Sequence, residues 1–244
     1  MGLTAQTVGL FFLVCVGGSI VQTVCGFGFG VFAMIFLPYL LPSTMSAVVV
    51  NGLIGVCSCI VLAVRYHRSA RPRKILLPLL AYFAVSTVLV RVSIGMNEAL
   101  IRRMLGALLI ALSIYFLIFA NRIHIRPTPF SAVAAGTIGG AMSTLFGMGG
   151  PPASAYFLEA SDTNEEYIAN IQLYIMISNS YVNLIRIFNG LCGRFEVTLW
   201  LIGLAALLPG SWIGRMLFTR LDATALRRVI YLFMAVSGAI LIFN

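Results

Sequence analysis

The sequence predicts an all-α, polytopic membrane protein built from two inverted repeats. Each repeat has four long helices and one short half-helix after a glycine-rich break. Three observations predict it. First, 60% of the 244 residues are hydrophobic and only 9% are charged, with mean hydropathy +1.01. A soluble domain carries about 25% charged residues, so this chain has too few to cover a water-facing surface. Second, apolar runs near the length of about twenty residues that a helix needs to cross a bilayer recur along the sequence. Third, the order of long and short runs is written twice.

In the first half, apolar runs fall at 5–24, 29–41, 44–65, 75–93 and 99–120. No basic segment precedes the first run, and it continues into glycines, so it reads as a retained helix rather than a cleaved signal. A basic linker, "NRIHIRPTP", follows. The second half then gives 130–146, 151–159, 166–189, 196–217 and 223–243. The repeats are thus 1–124 and 125–244, forming one transporter domain. A shift of 121 residues places Thr23, Gly26 and Gly28 on Thr144, Gly147 and Gly149, and Asn51, Ser58 and Arg65 on Gln172, Asn179 and Arg186. Further on, a shift of about 125 places Asn97 on Asp222 and Arg102–Arg103 on Arg227–Arg228. Duplicated membrane halves are a common transporter plan.

Charge tests the orientation of the repeats. If the short runs cross the membrane, each half has five crossings and the second is inverted. The loop 65–74, the linker and the segment around Arg215, Arg220, Arg227 and Arg228 then share one side, with about eleven of the sixteen Lys and Arg. If the short runs dip in and return, four crossings per half give a parallel repeat and a split of about nine to seven. The preference of Lys and Arg for the cytoplasmic side favours inversion.

The short runs, of about nine to thirteen residues, cannot cross about 30 Å of hydrocarbon at 1.5 Å per residue. Each follows a break, "TVCGFGFGVFAMIF" from Thr23 and "TLFGMGGPPASAYF" from Thr144. A freed backbone amide in lipid costs several kcal/mol unless protein or a wet cavity receives it. The breaks are therefore expected at the interface of the repeats near the midplane. Gly147, Gly149 and Gly150 leave the backbone open to a ligand, and Pro151 suits the first turn of a new helix. Such a helix start attracts anions through its dipole and unpaired amides. Gly26 and Gly28 offer the same in the first half. Close helix packing is the competing reading of these glycines.

Gln172, Asn179, Asn183 and Arg186 share one helical face, and Asn51, Ser58 and Arg65 form a thinner equivalent. Amides donate to an oxyanion without holding it by charge, although they also join helices. Arg65 and Arg186, like Arg91 and Arg215, lie near helix ends, where snorkelling competes with an electrostatic role. The expected anion contacts are Thr23, Gly26, Gly28, Asn51, Thr144, Gly147, Gly149, Gly150, Pro151, Gln172, Asn179, Asn183 and Arg186. All seven carboxylates fall at or beyond the ends of apolar runs, so no mid-span acid suggests a cation pump or proton relay. The cysteines, Cys15, Cys25, Cys57, Cys59 and Cys192, have neither metal nor disulfide spacing. The expected partners are a small anion and the lipid bilayer, with no nucleic acid, metal or cofactor. Pairing as a homodimer is left open.

Two segments, "QTVCGFGFGVFAMIFLPYLLP" (Gln22 to Pro42) and "STLFGMGGPPASAYFLEA" (Ser143 to Ala160), resemble the sulfite exporter TauE/SafE family in corresponding places of the two halves. The first departs from the glycine-richer family form, with Phe27 and Phe29 flanking Gly28. The resemblance implies a multi-pass permease of the bacterial inner membrane for sulfite, sulfonates or related sulfur-containing anions, and not an enzyme. An anion channel of the same architecture, or a membrane sulfur relay using Cys25, are the alternative readings.

Overall fold

In the computed structural model, residues 4–25, 28–119, 126–218 and 223–243 are described. Gly26, residues 121–125 of the linker, Arg220 and Asp222 lie outside them, as do the side chains of Cys25, Arg227 and Arg228. The described chain is helical: α1 (Ala5–Cys25), α2 (Phe29–Leu40), α3 (Thr44–Tyr66), α4 (Pro72–Ile94), α5 (Glu98–Ile114), α6 (Pro129–Phe146), α7 (Gly150–Ala160), α8 (Asn164–Phe188), α9 (Arg194–Phe218) and α10 (Ala223–Phe243). Polar side chains fix several starts. Ser43 Oγ accepts from Ser46 N, Asn97 Oδ1 from Ala99 N, and Thr163 Oγ1 from Glu166 N, each satisfying an orphan amide of a first turn. Among the described residues, α1, α3, α4, α5 and α9 are long and apolar enough to cross a membrane. The chain is a polytopic helical membrane protein.

Contacts between helix ends give the course of the chain. Thr44 N donates to Glu98 Oε1 at 2.6 Å, and Ser46 Oγ to Glu196 Oε1 at 2.6 Å. The starts of α3, α5 and α9 therefore share one end of the bundle, the Glu98 end. At the other end, Lys74 Nζ lies 3.1 Å from Asp162 and 2.8 Å from Glu166, and Arg71 N donates to Asn170 Oδ1. This Lys74 end gathers the starts of α4 and α8 and the finish of α7. Helix α1 runs beside α9 in the same direction: Gly203 faces Cys15, and Gly214 faces Ile20 and Thr23. Helix α6 runs likewise beside α4, with Gly136 at Pro78 and Gly140 at Tyr82 and Ser86. So α1 enters from the Glu98 end and α2 returns to it. The α6–α7 hairpin enters and leaves at the Lys74 end.

The two hairpins point at each other from opposite ends of the bundle. Helices α2 and α7 have 12 and 11 residues, about 18 and 16 Å, too short to cross. Helices α3 and α8 cross antiparallel through the centre, with Gly52 and Gly55 against Asn183 and Asn179. At the periphery α5 and α10 pack antiparallel through Gly106 and Gly238. The tightest packing interleaves the two sequence halves: α1 with α9, α4 with α6, α3 with α8 and α5 with α10. One apolar cluster is built mainly on α1, α2, α3, α5, α9 and α10, the other on α4, α6, α7 and α8.

Candidate functional site

The two breaks meet beside the middle of α3 and α8. Helix α6 ends at Gly147, whose φ of +70° is left-handed, a conformation glycine reaches without Cβ strain. The chain turns there, and Gly147 N and Met148 N donate back to Ser143 O and Met142 O. Helix α7 then starts at Gly150 with two prolines in its first turn. In the first half, Gly28 at φ +114° caps α2, and its carbonyl accepts from Phe32 N. The tips touch: a Cβ on Gly30 would sit 2.6 Å from Gly147 O. Asn51, 1% exposed, bridges them by donating Nδ2 to Gly147 O at 2.9 Å.

A cavity of about 40 Å³ lies between the tips. That is room for a few waters or a small oxyanion. Gly28, Gly30, Asn51, Ser58, Gly147, Gly149, Gly150, Pro151, Ser178 and Asn179 line it, together with Gln22 and the more apolar Phe29, Cys59, Met148 and Ile175. None of these side chains is charged. First-turn amides of α2 and α7 have no intrahelical carbonyl to meet, and both helix starts bring a positive dipole end to the cavity. One α2 donor is already used: Phe29 N donates to Gln22 Oε1 at 3.1 Å.

The structure divides the expected contacts. Gly28, Asn51, Gly147, Gly149, Gly150, Pro151 and Asn179 line the cavity. Gln172, fully buried, stands behind the wall, where its Oε1 accepts from Gln22 Nε2 at 3.4 Å. Thr144 and Asn183 are also buried outside it. Thr23 turns away altogether. Its hydroxyl donates to Ser19 O of its own helix at 2.8 Å, in space left by Gly214 of α9. Gly26 lies outside the described residues. Arg65 and Arg186, equivalent by sequence, have opposite fates. Arg65 is exposed, over the Tyr66 ring. Arg186 is 1% exposed and donates to Asn183 Oδ1 at 3.1 Å, Ser143 O at 3.0 Å and Thr144 O at 2.8 Å. It therefore caps the end of α6 and does not line the cavity.

Sequence reasoning missed Gln22, Cys59, Ser178 and the apolar lining. Gln22 did leave a signal, because the 121-residue shift lands it on Ser143, the other polar residue in a last turn before a break. Tyr82 left none. It donates to Ser143 Oγ at 2.7 Å, and Ser143 Oγ donates in turn to Asn179 Oδ1 at 3.2 Å. Among the described residues no three His, Cys, Asp or Glu gather to hold a metal.

The family model described as "Sulfite exporter TauE/SafE" matches residues 10–241. No curated protein and no solved structure matches the chain.

Proposed function

Because the chain belongs to the sulfite exporter TauE/SafE family, a family of membrane transporters for sulfur-containing anions, we propose that it moves sulfite or a small sulfonate across the bacterial inner membrane as a secondary transporter. The observation that carries this reading is the cavity between two opposed helix starts, lined by the amides of Gln22, Asn51 and Asn179, the hydroxyls of Ser58 and Ser178, and no charged side chain. Helix dipoles and backbone amides attract an anion yet leave no fixed charge on the wall to trap it. Gly28, Gly30, Gly149, Gly150 and Asn179 supply the contacts, and Asn51 holds the tips together.

The inverted duplication fits this reading. Exchanging each of the first five helices for the helix five later turns the α1–α9 packing into α6–α4 and leaves the α3–α8 and α5–α10 pairs unchanged. By sequence, segments 65–74, 121–128 and 215–228 hold about eleven of the sixteen Lys and Arg; the first of them carries Lys74 itself, and the preference of Lys and Arg for the inner face makes the Lys74 side cytoplasmic. Alternating access then moves the α4–α6–α7–α8 body against the rest. These bodies are not the sequence halves, because the halves interleave.

Flux of labelled sulfite and sulfonates into proteoliposomes tests the proposal. Saturable uptake with counterflow is expected, and flux without counterflow would indicate a channel. Asn179→Ala should weaken half-saturation by about tenfold, the scale of a hydrogen bond to a charged group. Asn179→Asp should abolish transport by setting a carboxylate against the anion. Parent-like flux in both folded variants would overturn the site.

A further inference from the structure

A broken helix presents two termini, and they oppose each other electrically. The start of α7 attracts an anion, but the end of α6 beside it carries carbonyls with spare accepting capacity and the negative end of a dipole. A buried cation answers those carbonyls. Arg186 donates to Ser143 O and Thr144 O, and its nearest side-chain partner is the neutral Asn183. No carboxylate pairs with Arg186 among the described residues, where both ion pairs involve Lys74.

The same turn orients the amide on the wall. Tyr82 OH donates to Ser143 Oγ, so the Ser143 proton goes to Asn179 Oδ1. That occupies the acceptor of Asn179. Its donor, Nδ2, lies where a Cβ on Gly55 would meet it at 3.1 Å, and Gly55 lines the cavity. The opposite wall differs. Asn51 Oδ1 there is buried with no hydrogen-bond partner among the described residues, Gln22 already takes the first amide of α2, and the sequence equivalent of Arg186, Arg65, is exposed.

We propose that Arg186 and Ser143 are positioning residues that present the Asn179 amide and the start of α7 as hydrogen-bond donors on the α6–α7–α8 wall of the cavity, so that the charged end of the anion is held against α7 and Asn179 rather than midway between the two helix starts. The inference rests on the anion-transport reading and adds to it an asymmetry that the duplicated sequence conceals. Arg186 acts through the α6 carbonyls and Ser143 through the Asn179 amide, and neither touches the anion.

The test is sulfite flux in proteoliposomes holding the full chain, with half-saturation and maximal rate measured separately from the melting temperature of the anion-free protein. Arg186→Gln is expected to raise half-saturation by about tenfold or more, and Arg186→Lys to recover part of that loss. Ser143→Ala, a smaller change that keeps the fold if Arg186→Gln does not, should raise half-saturation severalfold by freeing the Asn179 amide to turn. A merely structural role would lower the melting temperature and maximal rate and leave half-saturation unmoved. That result, in a parent with saturable flux, overturns the inference alone. A parent with no saturable flux of sulfite or any sulfonate overturns the transport reading and this inference with it.

Discussion

Gly147 and Gly190 make a matched pair at the scale of single residues. Both have a left-handed φ, +70° and +73°. A Cβ on Gly190 would meet nothing within 4 Å, whereas one on Gly147 would lie 2.8 Å from Asn51 Nδ2. Gly190→Ala should therefore cost only the backbone term, about 1 kcal/mol. Gly147→Ala should cost that plus displacement of the Asn51 bridge, roughly another 1–2 kcal/mol. Thermal unfolding in detergent measures both, and equal losses would show that the bridge contributes nothing. Gly147, Gly149 and Pro151 were legible in the sequence because the backbone demand is met by the residue's own chemistry. Thr23 was not, because its orientation depends on α9, some 190 residues away in sequence. Nor was the contrast between Arg65 and Arg186, since only the second meets the open end of a helix.

At the scale of elements, helix lengths and starts were largely legible. Glycines, prolines and small polar caps such as Ser43 and Thr163 set them locally. Partners were not, since an apolar helix face in lipid does not declare what it packs against. Small residues carry that information here. On α6, Gly136 abuts the Pro78 carbonyl and Gly140 the Tyr82 backbone, both on α4, the close approach that small residues permit between membrane helices. Gly136→Leu should push α6 off α4, displace the Tyr82–Ser143–Asn179 chain and lower stability by about 2 kcal/mol or more. Gly9→Leu on α1, where a Cβ meets nothing within 4 Å, is the control expected within about 0.5 kcal/mol of the parent. Melting temperatures of the two variants decide it.

For the whole molecule, hydropathy suggested a repeated rhythm of long and short runs but not the path. It reads length, and length does not say at which end a chain leaves. The sequence offered five crossings or four per half, and it does not show that α1 and α2, like α6 and α7, enter and leave at one end of the bundle as hairpins. Cysteine labelling in intact membranes checks this path in a background without native cysteines. Single cysteines at Ser69, Thr128 and Ser161 should react from one side, and those at Ser43, Asn97 and Gly193 from the other. Labelling of Thr128 and Ser161 from opposite sides would show that α6 and α7 together cross.

One bond has a further consequence for how the protein comes into being. Ser19 of α1 donates to the Leu207 carbonyl, 188 residues onward, so α1 emerges long before α9 has been made. At ordinary synthesis rates that interval is on the order of tens of seconds. The bond from Phe29 N to Gln22 spans only seven residues and needs nothing made later. The newborn hairpin thus carries its own provisional cap, which shelters one exposed amide while the rest of the chain is still on the ribosome.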